Sequence, residues 1–248
     1  NEPSQKRLDA LKETQRLMEE HPNNWMVMGF WLMLNAEAPF SVVNIKEEIL
    51  PHARYLTKKC PDIPTWQHAL GHFEWRAGNY LLAERAFERA IKLYEKWMQQ
   101  EGVDLNDCEG YVKSKCYLAN TLFQRDDFSG AMKVAMSLRG LKPDSARPQS
   151  AGNQIILWRA CHLPARLYIA RDDRENRALA LGSLPPGEEI KPFVNHPKFP
   201  TLAGVYIEAL AAYIACRKAI DDQMFEVANG LRNESLRGLI KKLAGVVD

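Results

Sequence analysis

LGHFEWRAGNYLLAERAFERA, residues 70–90, decides how the rest of the chain is read. Leu70, Phe73 and Ala77, then Tyr80, Ala83, Phe87 and Ala90, recur at steps of three and four. That spacing stacks side chains along one face of a helix. Gly78 and Asn79 stand between the two runs. A helix has to stop there and the chain turn back, and glycine accepts the left-handed backbone of such a stop without steric cost. The stretch is predicted as a helical hairpin.

The pattern returns 48 residues later. Leu118, Ala119, Leu122, Asp126, Asp127, Phe128, Ala131, Ala135 and Leu138 align in order with Leu70, Gly71, Glu74, Gly78, Asn79, Tyr80, Ala83, Phe87 and Ala90. Each hairpin has a small residue where its helices cross, a large one at the turn, and an apolar face that a neighbour must cover. The segment resembles the tetratricopeptide repeat, which has Leu-Gly in its first helix, an aromatic after the turn, Ala then Phe in its second, and a closing proline. Leu70, Gly71, Tyr80, Ala83, Phe87 and Ala90 match directly, and the second copy matches through Leu118, Ala119, Phe128, Ala131 and Pro143. Residues 8–25, LDALKETQRLMEEHPNNW, look like the second helix of another unit, with Ala10 and Leu17 inside and Pro22 closing it.

Three features depart from the family pattern. Trp66 falls one residue early for the family's tryptophan, Glu74 stands where an aromatic is usual, and the interval exceeds the family's ~34 residues. The resemblance is good over residues 64–143, weak over 5–61 and fades after Ser150. It implies an all-α fold: a short right-handed superhelical array of helical hairpins over residues 1–148, with a helical C-terminal cap over 149–248.

The composition shifts beyond Pro148. Residues 181–200, LGSLPPGEEIKPFVNHPKFP, hold five of the fourteen prolines, so an extended connection is expected over about 182–200. Helices are expected on either side, over 153–171 with Pro164 kinking or dividing the first, and over 201–220. NESLRGLIKKL, residues 233–243, reads as a helix capped by Asn233 or Ser235, with lysines near its end where the dipole favours them. The apolar runs 25–34 and 202–216 are too short or too interrupted to span a bilayer and read as buried helix.

Charge excludes little by itself but argues against a nucleic-acid partner. Lysine and arginine number 33 against 31 acids, with 8 against 8 through Cys60, 12 against 12 over 61–150 and 13 against 11 thereafter. No segment carries the basic stripe that phosphate backbones demand. Five cysteines without a C-x-x-C pair suggest free thiols, and with them a reducing compartment such as the cytoplasm. The chain begins with Asn1, and residues 8–20 read as the second half of a repeat. An upstream segment, or another subunit, is therefore expected to cover Leu8, Leu11 and Leu17.

The resemblance assigns a peptide-binding concave face to the first helix of each unit. Carried over by position, it names His68, His72 and Trp75, with Thr65, in one unit, and Lys113, Asn120 and Phe123, with Cys116, in the next. His68 and His72 share a helix face, the geometry of an H-x-x-x-H zinc pair, but Ala69 stands where a metalloprotease carries glutamate and no third ligand is near in sequence. Arg159, His162 and Arg166 form a polar stripe on an apolar helix, read chiefly as salt bridges to Asp172, Asp173 and Glu175. No nucleophile elbow, P-loop or dinucleotide fingerprint is present. No catalytic residue, metal or cofactor is assigned. The expected function is a non-catalytic module binding a partner peptide or helix in its concave groove. One alternative is an enzyme or small-ligand domain on the C-terminal helices, with His162 or His196 in a deep pocket. The other is an RNA-binding helical repeat.

Overall fold

A computed structural model describes residues 5–36, 44–142, 144, 146–147, 150–171, 173–185 and 200–244. The fold is all-α, and among the described residues there is no strand. The chain divides into two compact units. Unit 1 is Asn1–Gly102 with the turn Gln124–Asp126, and unit 2 is Val103–Phe123 with Asp127–Asp248.

Unit 1 holds α1 (Gln5–Glu20), α2 (Trp25–Asn35), a π-helical turn (Ile45–Ile49) running into α3 (Leu50–Lys59), α4 (Pro64–Arg76) and α5 (Tyr80–Glu101). The helix starts follow from side chains able to cap. Asn24 Oδ1 accepts from the amides of Met26 and Val27 at 3.1 and 3.3 Å, and Asn44 Oδ1 accepts from Glu47 N at 3.3 Å. Pro64 sits in the first turn of α4, where no amide hydrogen is missed, whereas Pro51 follows the π-helical turn without a break in the helical backbone. Met28, Leu32, Ile49, Leu50, Leu56, Trp66 and Phe73 form the core. The displaced Trp66 has a definite seat. A Cβ on Gly29 would come within 2.1 Å of its ring, so α2 admits the indole only because residue 29 has no side chain.

The α4–α5 hairpin closes as the spacing predicts. Gly78 has φ +82°, its N–H donates to Trp75 O at 3.0 Å, and Asn79 N–H donates to Glu74 O at 2.8 Å. These bonds satisfy carbonyls that a helix end otherwise leaves open. Ala83, Phe87 and Ala90 are fully buried. None of the described side chains of α1 is buried; Leu8 is exposed, and Leu11 and Leu17 are half-buried.

Unit 2 holds a 3₁₀ turn (Leu105–Asp107), α6 (Glu109–Gln124), α7 (Phe128–Arg139), α8 (Ala151–Ile155), a π-helical turn (Ile156–Ala160) and α9 (Leu163–Ala170). It continues with α10 (Arg174–Ser183), α11 (Pro200–Asp221), α12 (Phe225–Gly230), a π-helical turn (Leu231–Leu236) and α13 (Arg237–Ala244). The α6–α7 hairpin repeats the closure of α4–α5, with Asp126 at φ +62° and Asp127 N–H on Leu122 O at 3.0 Å. Ala119, Ala131, Ala135 and Leu138 are fully buried. A third copy ends α11: Gln223 has φ +59°, its N–H reaches Ile220 O at 3.0 Å, and Met224 N–H reaches Ala219 O at 2.8 Å. The left-handed backbone costs a non-glycine residue about 1 kcal/mol or more, and the two carbonyl bonds offset it.

Of kinking and dividing, Pro164 does the second: it stands in the first turn of α9, after a break at Cys161 and His162. One expectation changes here. Asn233 and Ser235 do not cap a helix. They lie inside the π-helical turn of a segment already helical from Phe225, because the stop at Gln223 resets the backbone ten residues before Asn233. Most of the proline-rich connection, residues 186–199, lies outside the described residues, as do Pro39, Pro143 and Pro148.

Unit 2 is also tied by charges distant in sequence. Arg147 pairs with Asp144 at 2.8 Å, Asp107 at 2.5 Å and Asp104 at 3.3 Å. Buried Asn153 holds the same loop, donating to the carbonyls of Asp144 and Arg147 and accepting from Asp144 N. Arg177 grips Asp221 with two bonds of 2.6 Å, joining α10 to α11. No described helix is long and apolar enough to cross a membrane.

Candidate functional site

The residues carried over from the repeat resemblance fall on α4 in unit 1 and α6 in unit 2. On α4, His68 is half-buried with its ring 5.5 Å from that of Phe87, and Trp75 is half-buried. His72 is an interior group, 7% exposed. Its Nε2–H donates to Ala36 O at 2.9 Å, and Arg76 Nη1 donates to the same oxygen at 2.6 Å and to Asn35 O at 3.3 Å. The end of α2 needs partners for its carbonyls, and basic side chains suit the negative end of the helix dipole. His72 thus serves α2, and its Nε2 is engaged where a zinc pair would need it. Among the described residues no three His, Cys, Asp or Glu side chains are grouped to hold a metal.

Glu74, out of pattern in the sequence, is explained by the same helix. Only 2% exposed, it accepts two bonds from Arg54 at 2.7 and 3.0 Å and one from Asn79 Nδ2 at 2.7 Å. Glu74 in turn holds Arg54 more firmly protonated than a free guanidinium.

On α6, Lys113 pairs with Glu109 at 3.0 Å, while Asn120 and Phe123 are half-buried. Phe123 meets Phe128 edge-on at 6.3 Å, and Arg171 lies 4.6 Å over the Phe128 ring. Cys116 is buried, and desolvation pushes its thiol up to about 12 against the pull of Arg159, Arg166 and Lys115. A thiol held protonated is a poor nucleophile.

The C-terminal stripe separates into different environments. His162 is 1% exposed and packs 4.9 Å from the Tyr206 ring, inside the core. Arg159 is half-buried with its guanidinium 5.8 Å over Tyr117, and Arg166 is exposed. Asp173 is used as a helix cap, accepting from Asn176 N at 2.8 Å, so the expected bridge to the arginines is not made there. Asp172 and His196 lie outside the described residues.

One feature escaped the sequence reading. α2 buries Met28, Gly29 and Leu32 but turns Met26, Phe30 and Met33 outward, each more than half exposed. The run expected to be buried is therefore buried on one side alone. Beside Met26 an open depression of about 790 Å³ is lined by His21, Asn24, Trp25, Ile63 and Trp66 among others. Exposed apolar stripes of this kind mark contact surfaces more often than chemistry.

No family model matches this chain, and no curated protein matches it in sequence. A solved structure described as "Structure of Naa15/Naa10 bound to HypK-THB" is similar at a TM-score of 0.29 and 16% identity. The likeness covers 96% of this chain and 36% of that one, and at this level it carries neither fold nor function across.

Proposed function

We propose that the chain is a non-catalytic protein-interaction module whose helical hairpins receive a helix or extended segment of a partner protein. The repeat organisation through residue 148, with a helical region after it, belongs to the same proposal. One observation carries the reading. α6 is packed on most sides through Val112, Leu118, Ala119 and Leu122, yet leaves Lys113, Tyr117, Asn120 and Phe123 half-open. A strip of amide, ring and ammonium groups on a rigid helix suits main-chain and side-chain contacts with a peptide. His68 and Trp75 on α4 are candidate contacts of the same kind. The enzymatic alternative names His162 or His196; His162 is 1% exposed, and His196 lies outside the described residues.

The test places a photo-crosslinking amino acid at Phe123, at Asn120, or at the exposed control Glu88, in the full chain within its native cells. Crosslinks from positions 120 and 123 to one segment of one protein, absent at 88, are the expected result. Crosslinks of equal yield at all three positions, or at 88 alone, would overturn the reading.

A further inference from the structure

The last helical segment of unit 2 is covered on one side only. α12, the π-helical turn after it and α13 follow one another without a gap from Phe225 to Ala244. Ala228 packs with Cys216 and Ala219 of α11, and Leu231 joins them. Leu236, Leu239 and Leu243 recur at steps of three and four and are half-buried, forming the stripe by which the segment lies on α11. Among the described side chains from Phe225 onward, Ala228 alone is buried.

The outward side is apolar and basic together. Phe225 is 65% exposed and Ile240 53%. They are 15 residues apart. That is about four turns and ~22 Å of helix, and the wider π-helical turn shifts one against the other by no more than about a quarter turn, so both stay on one side. Arg237, Ile240 and Lys241 stand three and four residues apart, which sets a cation on each flank of the exposed isoleucine. Arg232, Arg237, Lys241 and Lys242 are all exposed, and among the described residues none is paired with a carboxylate; Arg237 donates to Asn233 Oδ1 at 3.4 Å. The segment's own acids are Glu226 and Glu234, two against four cations. We propose that this segment seats the protein on an anionic bilayer surface, with Phe225 and Ile240 entering the headgroup layer and Arg237, Lys241 and Lys242 meeting the acidic lipid headgroups. The contact lies apart from the peptide-binding face of α6 and does not depend on it.

Charge complementarity and the spacing of the apolar groups select the occupant. About 4–8 Lys and Arg on an amphipathic helix suit the negative potential of acidic lipids, and large apolar side chains on the same helix add insertion. An acidic peptide would answer the cations but not Phe225 and Ile240, which stand singly on one helix, about 22 Å apart. A bilayer takes such separate apolar groups without needing a surface of matching shape. A nucleic-acid backbone requires a row of ~6–10 cations, and it leaves exposed aliphatic groups without a partner. The seat is on the surface alone, since no described helix is long and apolar enough to cross a membrane.

The experiment floats the full chain with vesicles of phosphatidylcholine alone or with about 30% phosphatidylserine. Binding to the acidic vesicles is expected to be at least tenfold tighter and to weaken as sodium chloride rises from 50 to 500 mM. Arg237→Gln with Lys241→Gln should weaken it roughly tenfold or more, because each cation near an acidic surface adds to the attraction. Arg85→Gln with Lys92→Gln removes the same charge from exposed positions of α5 and should leave binding within about twofold of the parent. Phe225→Gln with Ile240→Gln, both exposed, should weaken it roughly tenfold at unchanged charge. Equal binding to the two kinds of vesicle, insensitivity to the Arg237 and Lys241 changes, or an equal loss in the α5 control would each overturn the proposal. So would tighter binding, in parallel titrations, of a 14-residue polyglutamate peptide or a 14-nucleotide single-stranded RNA that is lost in the Arg237 and Lys241 variant. Crosslinks from 120 and 123 are read independently, so failure here leaves the peptide-binding reading standing.

Discussion

Replacing Glu74 with glutamine tests whether the buried carboxylate holds α3, α4 and the hairpin turn together. Glu74 receives two bonds from Arg54 and one from Asn79 while only 2% exposed. Glutamine keeps the length and one oxygen. Its NH2 group must then face either the Arg54 guanidinium or the Asn79 amide, and donor meets donor in both cases. A hydrogen bond to a charged partner contributes about 1.5–3 kcal/mol, and an unsatisfied buried group costs about 1–3 kcal/mol. Arg54 is half exposed and recovers much of its hydration, which discounts its share. The net expectation is a loss of about 2 kcal/mol. Urea unfolding followed by circular dichroism measures it, in a double-mutant cycle with Arg54→Met. The two changes should couple by about 1 kcal/mol or more, because either one alone breaks the same pair. Unfolding midpoints of Glu74→Gln indistinguishable from the parent, or strictly additive changes, would show that the network contributes nothing and that the reasoning is mistaken.

Gly152→Ala should destabilise the fold by about 2 kcal/mol despite the better helix propensity of alanine, since the new methyl would come within 2.1 Å of the Asn106 carbonyl oxygen in the backbone; thermal denaturation decides it. Iodoacetamide at pH 8 should modify half-exposed Cys60 long before buried Cys116, whose thiol is pushed up to about 12, and mass spectrometry of timed samples would expose the reverse order. Arg177 hydrogen-bonds Asp221 and holds its carboxyl below the ordinary value, so the unfolded chain binds that proton more readily than the native one. The stabilisation is complete above about pH 4 and drains away as pH falls through the depressed native value. Asp221→Asn should therefore flatten this part of the acid limb in urea midpoints taken from pH 6 to pH 2.

The helical class and two of the three matching helix stops were legible because they are local. Gly78 announces a left-handed turn by its identity, and Asp126 is found by alignment with it. Gln223 adopts the same backbone without any residue-level signal, and missing it displaced the start of the last helical segment to Asn233. The apolar run of α2 shows how many large side chains are present but not how many neighbours will cover them, so Met26, Phe30 and Met33 read as core. Of the candidate contacts, Lys113, Asn120 and Phe123 are half-open, whereas His72 is drawn inward by the Ala36 carbonyl at the end of α2, 36 residues away in sequence. Arg177 with Asp221, and Arg147 with Asp107, are separated by 44 and 40 residues, distances at which periodicity says nothing.

The seat of Trp66 against Gly29 also constrains how this sequence can change over generations. A methyl at position 29 and an indole at position 66 would occupy the same space. A lineage starting here meets a steep fitness loss if residue 29 gains a side chain first, and a milder one if residue 66 shrinks first. The order of the two steps is therefore biased by geometry, and once residue 29 has grown, the return of tryptophan is blocked in turn. Descendants should fall into two camps, glycine with a bulky ring or a larger residue with a smaller one, and the mixed form should be the rarest.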